Sequence, residues 1–186
     1  MSLIRSFLAI PLTDEVRTLC REEQRHLSSF LPGVQWIRAE TMHLTLHFFG
    51  PVREEDLDRI GNIMLSVGNL CSPFNLRING IGAFPNSRRP RVIWAGLEDT
   101  EPLLALYEQL QQGLGRHGFN REERPFTPHL TLGRIRPPGG QRSGGLPDNH
   151  LFTGGCLPVD RIILYESSLR PEGAVHTPRR EVALTG

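Results

Sequence analysis
The sequence predicts a layered domain of the α/β or α+β class, assembled from two related halves, and three observations predict it. Apolar residues alternate with polar ones over several short runs, which is the period of a half-buried strand. Between those runs lie stretches of helical spacing opened by Thr, Asp or Glu. The tetrapeptide His-Leu-Thr-Leu occurs twice, as His43-Leu44-Thr45-Leu46 and His129-Leu130-Thr131-Leu132, each time at the end of the same order of strand, acidic cap, helix and His-strand. Two copies are too few for a stacked array, so the repeat reads as two similar halves of one body.

Residues 4–10 read as a first strand that Pro11 stops. Thr13 or Asp14 can cap a helix over 15–27, with Val16, Leu19 and Leu27 on its apolar side. The strand holding His43 follows, and Gly50-Pro51 breaks the chain before a second helix over 54–70 and a strand over 74–81. Residues 91–96 begin the second round as a strand, Asp99 or Thr100 caps, and 103–114 form an amphipathic helix ahead of the strand holding His129. Residues 137–155 are dense in Gly and Pro and predict a long flexible loop, after which 161–169 read as a last strand.

At 186 residues the chain, 1–186, reads as a single domain of two lobes. A net charge of +1 excludes the basic stripe that holds a duplex through many phosphates, so any nucleic acid would be gripped locally. The three cysteines, Cys20, Cys71 and Cys156, form neither a close pair nor a CxxC, which points away from a disulfide scaffold or structural zinc and fits a reducing, cytoplasmic setting. The apolar run 3–10 is too short for a membrane span.

Alternation sets His43 and Thr45 on one strand face, and His129 and Thr131 on another, with the leucines behind them. Two imidazoles in one cleft suit a reaction that needs one proton removed and another supplied, since an unperturbed His titrates near neutrality. The threonine hydroxyls can hold non-bridging phosphate oxygens, so the constellation points to phosphodiester chemistry without metal. A zinc reading would join His43 and His47, four apart on one strand and expected to share a face, with His129. No Asp, Glu or Cys adjoins either motif to complete such a site. His47 has no counterpart in the second half, where Gly133 stands, and reads as structural; His26, His117, His150 and His176 read as exposed.

With these motifs in view, the sequence resembles the two-histidine phosphoesterase superfamily, and most closely the RNA 2′,3′-cyclic phosphodiesterases also described as 2′-5′ RNA ligases. The likeness runs through Arg5-Ser6-Phe7-Leu8-Ala9-Ile10, residues 36–50, Gly80-Ile81-Gly82-Ala83-Phe84, residues 90–96, Phe126 to Arg134, and Glu166-Ser167-Ser168-Leu169. It implies an α+β fold, a bilobed pseudo-two-fold duplication with two antiparallel sheets forming a central cleft and helices packed outside. It also implies hydrolysis of RNA 2′,3′-cyclic phosphate ends to 2′-phosphate ends, with 2′-5′ joining as a side activity.

Carried over residue by residue, His43 and His129 are the catalytic pair, with His43 as general acid and His129 as general base. Thr45 and Thr131 bind phosphate, and Arg134 adds a phosphate contact. Phe7, Phe48 and Phe126 are candidates for base stacking. Neither a metal nor another cofactor is implied; the partner is RNA with cyclic phosphate ends, tRNA fragments being one candidate, with no membrane and no obligate protein partner. Gly133 stands where an alanine is common, which would loosen the strand before Arg134, and His176 stands where an aromatic is common. Two rival functions share part of this pattern: a two-histidine enzyme acting on a small cyclic nucleotide or cyclic ADP-ribose phosphate, and a non-catalytic module that holds RNA ends.

Overall fold
The structure is a computed structural model that describes residues 3–122, 124–135, 146, 152–171 and 173–186. In chain order the elements are β1 (Leu3–Pro11), α1 (Asp14–Ser28), β2 (Val34–Trp36), a 3-10 turn (Ala39–Thr41), β3 (His43–Arg53), α2 (Glu54–Gly68), β4 (Phe74–Phe84), β5 (Val92–Glu98), α3 (Glu101–Arg116), β6 (His129–Ile135), β7 (Thr153–Val159), β8 (Arg161–Arg170) and β9 (Gly173–Ala183). The strands form two antiparallel sheets, ordered β3-β1-β8-β9 and β2-β6-β5-β4-β7.

The repeat is visible in the pairing. β1 and β3 flank α1 in sequence and pair antiparallel; β5 and β6 flank α3 and do the same. In the first half the next strand, β4, crosses to lie beside β5; in the second, β7 stays in that sheet beside β4 and β8 crosses to lie beside β1. Each sheet therefore contains strands from both halves, and neither half could bury its apolar face alone. α2 packs on β8, β9 and α3, whereas α1 packs on β6 and β7 of the opposite sheet. Leu44, Leu46, Leu130 and Leu132 are all buried on the side away from the histidines, as alternation requires.

The helices form where their ends are satisfied. Thr13 Oγ1 accepts from the Val16 N–H at the start of α1, and Asp14 and Glu15 sit against the positive end of its dipole. At α2 the Asp56 carboxylate reaches back to the Arg53 N–H.

Three strands lie outside the sequence prediction. β2 has only three residues, below the length at which alternation can be read. β7 claims residues 153–155 from the expected loop, because Gly154 lies against Ile78, where a Cβ would come within 2.6 Å of the Ile78 Cγ2. Of residues 137–155, only Leu146 and 152–155 fall within the described residues. β9 carries Pro178 and ends its sheet, and an edge strand tolerates the missing N–H. Gly133 is also corrected. A Cβ there would lie 2.5 Å from Val34 Cγ1 and 2.9 Å from Trp36 Cε3, so glycine lets β2 close tightly on β6 instead of loosening the strand.

Candidate active site
Both His-strands carry the same irregularity at the same place. On β3 the partners jump from Ala9↔Thr45 to Leu8↔His47, leaving Leu46 as the extra residue; on β6 they jump from Trp94↔Thr131 to Ile93↔Gly133, leaving Leu132. A bulge at the fourth motif position ends the alternation just after His and Thr, and bulges re-aim the side chains beyond them. This corrects the expectation that His43 and His47 share a face. His47 is 3% exposed and turned to α3, where Gln111 Nε2 donates to its Nδ1 at 3.0 Å. It is structural, and the three-imidazole zinc arrangement is not formed.

Each motif histidine is clamped by the backbone two residues earlier. His43 Nδ1 donates to the Thr41 carbonyl at 2.8 Å, and His129 Nδ1 donates to the Thr127 carbonyl at 2.7 Å. A carbonyl oxygen only accepts, so each neutral ring must carry its proton on Nδ1 and leave Nε2 as the free base.

A cleft of about 820 Å³ opens over the first sheet, large for a small-molecule site. Its walls include His43, Thr45 and Phe48 from β3, Thr131 and Arg134 from β6, and His176 from β9. His129 is not part of that lining; its half-buried ring stands against Phe84 and Trp94, at centroid distances of 5.1 and 6.3 Å. Arg134, which lines the cleft with His43, lowers the pKa of both rings by its charge.

The electrostatics of the pair are unequal. Burial pushes the His43 imidazole down to about 4, against the bond to Thr41 that favours its cation, and His176 and Arg134 lower it further. His129 is lowered too, first by burial and then by Arg134, with the Thr127 bond opposing. Both rings are therefore neutral at pH 7 before substrate binds. No carboxylate lines the cleft among the described residues.

The three aromatic candidates part company. Phe48 is 60% exposed on the cleft wall and is free to meet a base. Phe7 is 2% exposed, and its ring lies 4.6 Å from His43, 4.9 Å from His176 and 5.3 Å from Tyr165, so it packs against the His43 ring and offers a base almost no exposed surface. Phe126 stacks on Tyr107 of α3 at 4.0 Å, away from the cleft lining, and is corrected from a base platform to a packing residue.

Sequence reasoning placed His176 among the exposed histidines, yet its ring meets His43 edge-on at 5.2 Å and burial lowers its pKa, with Arg38 adding to the effect. It also passed over two glutamines. Gln24 of α1 donates to the Ile37 and Leu132 carbonyls at 2.7 and 2.8 Å, and Leu132 is the bulged residue of β6. Gln111 of α3 holds His47, next to the bulged residue of β3. Each helix thus braces the other half's His-strand. The signal was present: both glutamines sit on the apolar stripe of their helices, Gln24 between Cys20 and Leu27, Gln111 between Leu110 and Leu114.

Comparison with known proteins agrees with this geometry. A family model described as the 2′-5′ RNA ligase superfamily matches residues 11–142. The chain is 34% identical over 185 residues to the RNA 2′,3′-cyclic phosphodiesterase of Thermotoga maritima, covering 98% of this chain and 97% of that one. It is 35% identical over 179 residues to the protein of the same name from Methanothermobacter thermautotrophicus, covering 94% and 95%. Among solved structures, one from Thermus thermophilus superposes with a TM-score of 0.84 at 32% identity over 98% of both chains. E. coli LigT complexed with 3′-AMP gives 0.80 at 26% identity over 99% of both.

Proposed function
The chain belongs to the 2′-5′ RNA ligase superfamily, and from that premise we propose that it hydrolyses RNA 2′,3′-cyclic phosphate ends to 2′-phosphate ends without a metal. The observation that carries the reading is the doubled clamp: two imidazoles held in one tautomer by the carbonyls of Thr41 and Thr127, each followed two residues on by a threonine. RNA bearing such ends, tRNA fragments among them, is the substrate class.

In the proposed reaction, His129 Nε2 takes a proton from water as the water oxygen bonds to phosphorus. The bond from phosphorus to the 3′ oxygen breaks, and His43, protonated, supplies the proton that leaves a 3′-hydroxyl. Thr45, Thr131 and Arg134 hold the non-bridging oxygens, where negative charge gathers in the transition state. The free His43 ring is neutral, so it takes up a proton from solvent as the substrate binds: the phosphate anion offsets part of what burial removes, and an acid with a depressed pKa is a strong donor. A 5′-hydroxyl in place of water would join two ends through a 2′-5′ bond by the same steps.

Two imidazoles account for both proton transfers, so the chemistry requires no Lewis acid. Among the described residues no group of three His, Cys, Asp or Glu side chains is disposed to hold a metal. The test is incubation of the purified protein in EDTA with an RNA ending in a 2′,3′-cyclic phosphate. A 2′-phosphate should form, and His43→Ala and His129→Ala should each slow it by roughly 10²- to 10⁴-fold. A 3′-phosphate product, or activity abolished by EDTA, would overturn the proposal.

A further inference from the structure
Ten arginines among the described residues are paired with carboxylates: Arg17, Arg21, Arg25, Arg53, Arg59, Arg77, Arg121, Arg161, Arg179 and Arg180. The three that line the cleft, Arg5, Arg38 and Arg134, have no carboxylate partner among the described residues. The remaining described arginines, Arg88, Arg89, Arg91, Arg116, Arg124 and Arg170, line no part of it. The cleft therefore gathers positive charge that its own lining does not neutralise.

Arg134 acts on both catalytic rings and accounts for one negative charge, which is all that a cyclic phosphate carries. Arg5 and Arg38 are left over, and both line the same cleft. Arg38 Nη2 donates to the Ala174 carbonyl at 3.2 Å and its charge acts on His176. Gly173, at φ +123°, makes the turn that presents that carbonyl, and a Cβ on it would lie 3.9 Å from the guanidinium. On the β1 side, Arg5 precedes Ser6, which pairs with Glu166 of β8, and the next β8 residue, Ser167, has His176 as its partner on β9. His176 meets His43 at 5.2 Å, so Arg38 acts on a residue one side chain removed from His43, and Arg5 lines the same cleft wall.

Resting on the function proposed above, we infer that Arg5 and Arg38 hold the phosphate on the 5′ oxygen of the terminal nucleotide, which in RNA is the diester joining it to the chain. The site then reads two successive phosphates. It selects an RNA end over a free cyclic mononucleotide, independently of base.

The test compares three substrates with a 2′,3′-cyclic end: a mononucleoside with a free 5′-hydroxyl, the same with a 5′-phosphate, and a dinucleotide. In the wild type, kcat/KM for the second and third should exceed that for the first by roughly tenfold or more, as charge-assisted contacts to phosphate allow. Arg38→Ala and Arg5→Ala should each shrink that ratio, and the double variant should bring it near one. Binding of the dinucleotide product with a 2′-phosphate, measured by calorimetry across salt concentrations, should lose about 0.7 of log-log slope for each phosphate contact removed. Equal kcat/KM for all three substrates, or a ratio that both variants leave intact, overturns the inference while hydrolysis itself still stands. If nothing is hydrolysed but the dinucleotide still binds more tightly through Arg38, the proposed reaction falls and this phosphate site remains.

Discussion
Replacing Phe7 separates support of the catalytic ring from contact with a base. Its ring is 2% exposed and lies 4.6 Å from His43, and burial is the largest cause of the fall of His43 from 6.5 to about 4. At 1.36 kcal/mol per pH unit, that fall represents roughly 3 kcal/mol of differential solvation. Phe7→Leu removes the flat apolar wall and admits water to one side of the imidazole, which restores part of the solvation of its cation. The His43 ring, followed by NMR titration of its carbon-bound proton, should therefore titrate about one pH unit higher or more. The corresponding limb of the kcat/KM profile should move with it, and stability should fall by roughly 1 to 3 kcal/mol. A base platform behaves differently: its loss raises KM and leaves the titration alone. A raised KM with His43 still titrating near 4 refutes the reasoning.

Two further outcomes follow from the same geometry. The reaction needs one ring protonated and the other neutral; below the lower free-enzyme pKa both are cations and no base remains, and above the higher both are neutral and no acid remains. With His43 at about 4 and His129 also lowered from 6.5, kcat/KM should be bell-shaped with its maximum on the acid side of 6.5, reporting the pair and not either ring alone; a plateau that extends above pH 8 would contradict this. Gln24→Leu leaves the Ile37 carbonyl without the Gln24 donor and the Leu132 carbonyl with the Ile37 N–H alone, and Gln111→Leu leaves His47 Nδ1 unpaired in the interior, so each should cost roughly 1 to 3 kcal/mol by denaturant unfolding, with neutral behaviour counting against the bracing role.

The repeated tetrapeptide carried most of the site because its information is local: alternation alone sets His and Thr on one face and Leu on the other. The bulges at Leu46 and Leu132 were not legible, since an extra residue in a strand is defined by its partner, and the partner is far away in sequence. That is why His47 was read onto the face of His43. β9 was lost for a related reason: Pro178 argues against a strand until it is known that the strand lies at an edge. With β9 went His176 and the Arg38–Ala174 corner of the cleft. Phe126 was misplaced because proximity to the motif in sequence says nothing about α3, which brings Tyr107 to its ring.

The duplication explains what the two histidines share, and the surroundings explain how they differ. Clamp and bulge are repeated in both halves, so each ring has the same tautomer and the same following threonine. Two identical imidazoles would titrate together and would not divide acid from base. The halves are unequal beyond the motif: Phe7, Tyr165 and His176 enclose His43, whereas His129 has Phe84 and Trp94 on one side. Unequal burial sets the two rings apart, and the charge of the bound phosphate must offset it at His43 for that ring to serve as the acid. The crossing strands and the two glutamines keep that inequality fixed, because each half's His-strand is held by a helix from the other. Loosening a brace in one half should therefore disturb the ring of the other half, Gln24→Leu that of His129 and Gln111→Leu that of His43.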